Sequence, residues 1–194
     1  LRAAGVTDVV MVVGHCADKI IDHFSNGASH GITIQYVRQK DPSGIRDAVC
    51  RAREHFQPGE GFLLVYADVL TSGNIYRHVM QTFGSFNQPV AAICHTPQAQ
   101  NFGTVYLDAD MFINKLVEKP SHKEMGNYVL AGVFVMPYTL FDLLRKYEMD
   151  ESFNEIIAST GMRSAIWEEP WLDAQRPWDL LHGNQMVMRT WDEA

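Results

Sequence analysis

A chain of 194 residues, 46% hydrophobic and 20% charged, is long enough to bury a core as one domain or as two small ones. Its net charge of −7 argues against a nucleic-acid-binding surface and an anionic membrane partner, and any phosphate ligand would need local cations or a metal. The longest apolar runs are too short to span a bilayer, and no signal peptide is visible.

Residues 1–5 (LRAAG) read as the last turn of a helix closed by a glycine rather than as a beginning. Residues 7–13 (TDVVMVV) form a continuous, mostly β-branched run, expected as a strand buried on both faces of a parallel sheet. A helix is expected over 17–24, with Gly27 as its stop, and a strand over 32–37. Residues 43–56 place Ile45, Ala48, Val49, Ala52 and Phe56 on one helical face. A turn at 58–61 leads to a third buried strand over 62–67. Strand and helix thus alternate about every 25 residues up to position 86, the pattern of βαβ units in a doubly wound sheet. Right-handed crossovers place the loops after Val13, Val37 and Ala67 on one edge, where ligands bind.

After residue 88 strands dominate, at 89–95, 104–107, 111–117 and 128–135, with a tight hairpin at 107–111. A short amphipathic helix is expected over 139–147, a strand over 164–167, and a last helix beginning near Pro177. The chain then stops straight out of that helix, so both ends read as cuts in a longer chain. Cys16, Cys50 and Cys94 are odd in number and far apart, which suits neither a zinc site nor a disulfide framework. They are expected to be buried free thiols of a reducing cytoplasm. The eight histidines show no HxH or HExxH spacing.

Four stretches could carry chemistry. Asp68 follows a buried strand, where an acid either caps the next helix or holds a divalent cation against phosphates. Asp173, in PWLDAQRP, projects from a hydrophobic approach strand and serves either a turn or a metal. If the two acids meet, they suit Mg²⁺, which takes one or two carboxylates and completes its octahedron with water and phosphate. Residues 39–44 (QKDPSG) follow a strand and open a helix. Gln39 carries a donor and an acceptor suited to a base edge, and Gly44 permits close backbone approach. Glu118 and Lys119, locked by Pro120, could accept from sugar hydroxyls and neutralise a phosphate, or form a solvated surface pair. There is no Walker A motif, GxGxxG or Ser-His-Asp grouping.

In order along the chain, LRAAGVTDVVMVVGH, QKDPSG, VYADVL, NFGTVYLD, VEKP, NYVLAGVFVM and WLDAQRPWDLL resemble the sugar-phosphate nucleotidyltransferases, a family that includes glucose-1-phosphate thymidylyl- and uridylyltransferases. The resemblance covers nearly all of the chain. It implies a Rossmann-like α/β fold of three α/β/α layers, with a mostly parallel central sheet and a β-rich sugar-binding portion. A single domain is expected over 1–194, with 1–86 binding nucleotide and 87–194 binding sugar. The implied reaction is attack of a sugar 1-phosphate on the α-phosphate of an NTP, giving an NDP-sugar and pyrophosphate. By the same resemblance Asp68 and Asp173 are the Mg²⁺ aspartates, Gln39 reads the base and the Gly44 backbone contacts it. Gly103 and Glu118 lie at the sugar, Lys119 at its phosphate, and Asn127 near a polar sugar-site position. A cytoplasmic homo-oligomer is expected.

The chain departs from the family pattern in several places. The first strand and the glycine-rich triphosphate loop are not among the 194 residues, so this stretch alone is expected to be inactive. Ala67, Ile45-Arg46 and Gln175 stand where small residues or glycine are usual. These departures leave a second expectation, a non-catalytic regulatory or assembly subunit with the same fold. A third is a glycosyltransferase-like nucleotide-sugar binder using the DxD at Asp108 to Asp110, although a hairpin turn explains that stretch better.

Overall fold

The computed structural model describes residues 1–41, 43–96, 102–117 and 128–192. The chain divides into two compact units, residues 1–62 with 137–155, and residues 63–136 with 156–194.

In the first unit β1 (Asp8–Val13) and β2 (Thr33–Arg38) pair in parallel, Asp8 opposite Thr33 through Val13 opposite Arg38. The helix α1 (Ala17–Phe24) connects them, as a parallel pair requires. Only Val13 of β1 is fully buried, so the expectation of a strand buried on both faces is corrected. Among the described residues β1 pairs with β2 alone, and its other valines are half-covered. The helix expected over 43–56 also divides. The α2 helix (Gly44–Arg51) ends, and a separate turn of 3₁₀ helix spans Arg53–His55. Leaving the α-helical path lets Arg53 donate to the Tyr138 hydroxyl at 3.1 Å and pair with Asp142 at 2.7 Å. Beyond it Phe56, Phe62 and Phe141 stack, with Phe62 4.8 Å from each of the other two ring centroids. The α4 helix (Thr139–Leu143) contributes Leu140 and Phe141 to this core. The α5 helix (Met149–Thr160) begins in the same unit.

The second unit holds β3 (Gly61–Val65, from Leu63 onward), β4 (Val69–Thr71), α3 (Ile75–Phe86), β5 (Val90–His95) and β6 (Thr104–Leu107). It continues with β7 (Ile113–Val117), β8 (Tyr128–Pro137), β9 (Arg163–Trp167), β10 (Trp171–Asp173) and α6 (Asp179–Asp192). The main sheet runs β7-β6-β8-β5-β9, with β3 also on β8. The β5–β9 pair is parallel, while β5–β8, β6–β8 and β6–β7 are antiparallel. These three antiparallel pairs of the main sheet come from the β-rich stretch after residue 88. Alternate residues of β5 and β8, among them Val90, Ala92, Val129, Ala131 and Val133, share one face and meet Ile75 and Val79 of α3. No helix of the described residues is long and apolar enough to cross a membrane.

The β4 and β10 strands form a small antiparallel ribbon of their own, with Trp171 opposite Thr71, Leu172 opposite Leu70 and Asp173 opposite Val69. The α6 helix lies against this ribbon at Gly183, where a Cβ would come 2.7 Å from Leu70 Cδ1.

Candidate functional site

Two groups of expected residues gather, one in each unit. In the second unit the ribbon carries the acids. Asp173 ends β10, and Asp68 stands one residue before β4, where its carbonyl accepts the Ala174 N–H at 2.9 Å. Asp68 therefore continues the antiparallel register beside Asp173 and Ala174, and two residues 105 positions apart become neighbours. The helix-capping role open to Asp68 is excluded, because Asn74 caps α3 by accepting the Arg77 N–H at 2.9 Å.

Asp173 is half-buried. Its Oδ2 accepts from Gln175 Nε2 at 2.6 Å, and its Oδ1 is buried with no hydrogen-bond partner among the described residues. Burial pushes the Asp173 carboxyl above its ordinary value. The Gln175 amide works against the rise, while the negative charges of Asp68 and Asp179 add to it. An under-solvated carboxylate oxygen next to a second carboxylate fits a divalent cation. The described residues hold no group of three or more His, Cys, Asp and Glu suited to a metal; Mg²⁺ takes as few as one or two carboxylates when water and phosphate complete its octahedron.

A cavity of about 1090 Å³ opens beside Asp173, with His95, Phe102, Tyr128, Trp171 and Arg176 in its wall. The Trp171 indole N–H donates to Ala131 O at 3.0 Å, which holds the ring upright. Phe102 meets it edge-on at 5.6 Å. Gly103 stands between Phe102 and the start of β6. Apolar rings with a few polar groups suit the ring of a sugar. Glu118, Lys119 and Asn127 lie outside the described residues.

In the first unit Gln39 follows β2, and its backbone N–H donates to Val13 O at 2.8 Å. Gln39 thus sits at the carboxyl ends of both parallel strands, the edge where such sheets bind ligands. Its Nε2 donates to Gly44 O at 3.0 Å and to Asp47 Oδ2 at 2.8 Å, so Gln39 and Gly44 are brought together. Gly44 adopts φ +87°, a left-handed conformation that costs glycine little, and a Cβ there would meet nothing within 4 Å. Arg46 is engaged by Glu148, and Ile45 is exposed.

The sequence reading overlooked Asp47 and the cavity wall. Asp47 stands three residues after Gly44 in the first turn of α2, a spacing that returns its side chain to the loop. The DxD alternative fares poorly, because Asp108 Oδ1 accepts the Asp110 and Phe112 N–H groups at 2.9 Å each to close the hairpin. The thiols are free but not uniformly buried: Cys16 is exposed, Cys50 half-buried and Cys94 buried.

Residues 1–175 match the family described as nucleotidyl transferase. A glucose-1-phosphate thymidylyltransferase of Streptomyces griseus is 25% identical over 199 residues, covering 98% of this chain and 56% of the relative. The bifunctional protein GlmU of Methanocaldococcus jannaschii is 25% identical over 191 residues, covering 94% and 44%. The chain thus spans about half the length of these relatives. In three dimensions it resembles a UDP-glucose pyrophosphorylase complexed with UDP-glucose, with a TM-score of 0.85, 14% identity, and 100% and 84% coverage. The UTP-bound UGPase of Acinetobacter baumannii gives a TM-score of 0.79, 15% identity, and 100% and 80% coverage. At these identities the two structures establish a shared fold, the Rossmann-like nucleotidyltransferase fold.

Proposed function

The chain belongs to the nucleotidyl transferase family, and on that premise we propose that it serves the transfer of a nucleotidyl group from an NTP to a sugar 1-phosphate. A phosphate oxygen of the sugar 1-phosphate bonds to the α-phosphorus, the α–β phosphoanhydride bond breaks, and pyrophosphate leaves with that bond's electron pair. The nucleophile already exists as an anion, so the protein's task is positioning and charge neutralisation. The observation that carries this reading is the β4–β10 register, which sets the Asp68 backbone beside Asp173, a residue of the cavity wall. The names of the relatives favour uridylyl or thymidylyl transfer.

Asp68 and Asp173 would hold Mg²⁺, which supplies charge neutralisation at the phosphates. Gln39 and the Gly44 backbone would contact the base. Trp171, Phe102 and Gly103 would border the sugar. Glu118 would accept from its hydroxyls, with Asn127 nearby, and Lys119 would neutralise its phosphate. Free thiols fit a reducing, cytoplasmic setting.

Pyrophosphate release from UTP or dTTP with glucose 1-phosphate, measured on the full-length parent chain, tests the assignment. Asp68→Asn and Asp173→Asn should each slow it by about 100-fold or more, the scale of losing one preorganised electrostatic group. Unchanged release in both variants would refute the metal assignment. One observation favours a second reading, a non-catalytic regulatory or assembly subunit: Gln175 occupies an oxygen of Asp173. Nucleotide binding without pyrophosphate release in the unaltered full-length parent chain would select it.

A further inference from the structure

Gln39 sits in an arrangement that determines which way its amide faces. One terminal atom of the side chain lies 3.0 Å from Gly44 O and 2.8 Å from Asp47 Oδ2. A carbonyl and a carboxylate can only accept, so that atom is the NH₂, and its two hydrogens are both used. Arg51 Nε holds the same Asp47 oxygen at 2.7 Å, one helical turn on. This pairing keeps the Asp47 carboxyl below its ordinary value, with the Gln39 amide contributing in the same direction. Asp47 therefore remains an acceptor across the neutral range. The other terminal atom of the amide, Oε1, lies on the side of Gly14 at the end of β1, where an added Cβ would stand in van der Waals contact with it at 3.9 Å. A glycine at position 14 leaves that approach open.

We infer that Asp47 is a positioning residue: it spends the donors of Gln39, so that Gln39 meets a nucleotide base only as an acceptor and requires a base N–H opposite it. The inference rests on the reading of Gln39 as a base contact and deepens it. For a uracil or thymine ring, the group so recognised is N3–H. The neighbouring O4 carbonyl receives no hydrogen bond from Gln39. Asp47 does not touch the base in this account; it acts through the amide.

The test is calorimetric binding, by the full-length parent chain, of UTP and of 3-methyl-UTP, whose N3 cannot donate. The unaltered protein should prefer UTP by about tenfold, the range for one hydrogen bond. Gln39→Glu places a second carboxylate against Asp47 and should weaken UTP binding by about tenfold or more. Adding Asp47→Asn to Gln39→Glu restores a donor–acceptor pair with its direction reversed while an oxygen still faces the base. The double variant should therefore recover most of the lost affinity and the preference for UTP over the methylated nucleotide. A purely structural role for Asp47 would not restore that preference. Equal binding of the two nucleotides to the unaltered protein, or a double variant no better than Gln39→Glu, would overturn the inference. If UTP does not bind, or Gln39→Ala leaves its affinity unchanged, the base-contact reading itself falls.

Discussion

Asp173 is held in a state that its neighbours make uncomfortable. It is half-buried, has one oxygen without a hydrogen-bond partner among the described residues, and feels the charges of Asp68 and Asp179. Its carboxyl is therefore raised above the ordinary 3.8, so the folded state binds this proton more tightly than the unfolded chain does. The stability contributed by that proton is complete below pH 3.8 and is lost as pH rises through the folded-state value. Without bound cation, Asp173→Asn should melt at a higher temperature than the unaltered protein at neutral pH, with the difference vanishing below pH 3.8. Thermal melts across that range check the sign. A variant less stable than its parent at neutral pH would mean that the carboxylate is compensated by contacts other than Gln175. The residue chemistry here was legible in part. Asp68, Asp173, Gln39 and Gly44 stood out because acids, amides and glycines at strand ends have few structural duties. Asp47 did not, because an acid in the first turn of a helix is ordinary.

Among the elements, β8 does the most to place the acids. Its Gly132 has φ +77° in the middle of a strand, at a register irregularity against β5. A Cβ there would lie 2.7 Å from Val69 Cγ2 and 3.3 Å from Tyr66 Cβ, the residues on either side of Ala67 and Asp68. The close approach also lets the Tyr66 N–H donate to Gly132 O at 2.8 Å. Gly132→Ala should therefore cost about 1–3 kcal/mol from backbone conformation alone, with the clash in addition, measured as a lower urea midpoint. An unshifted midpoint would show that β8 relaxes freely. Periodicity found most strands of this unit to within a few residues, but it passed over α5 between residues 147 and 164. The signals were present: Asp150 and Glu151 in the first turn, Glu151 accepting the Glu148 N–H at 3.2 Å, and Phe153 with Ile156 on a buried face. The β4 strand was passed over for a different reason. Three residues carry no periodic signal, and its identity as a strand comes from β10.

For the molecule as a whole, the two acids should act as one site. If Asp68 and Asp173 share a cation, magnesium at about 100 times its dissociation constant should stabilise the folded protein by about 2.7 kcal/mol. Asp68→Asn and Asp173→Asn should each abolish that gain, and the double variant should add nothing further. Calorimetric melts with and without magnesium read this directly, without nucleotide or turnover. A magnesium effect surviving in both single variants would place the cation elsewhere.

The alternation of apolar runs, amphipathic stretches and glycine breaks sufficed to determine the α/β class and most element positions, because those depend on local periodicity and backbone preference. The order of its motifs was enough to mark the family. Pairing was decided only in three dimensions. Asp68 meets Asp173 because β4 and β10 share hydrogen bonds, and no local signal specifies which distant strand supplies the partner for an exposed edge. The burial of β1 and the break after α2 were decided likewise, by which strand covers the valines and which side chains draw Arg53 away. The facing of Gln39 depends on a carboxylate eight residues along the chain, and it is settled by the hydrogen-bonding geometry of the folded loop.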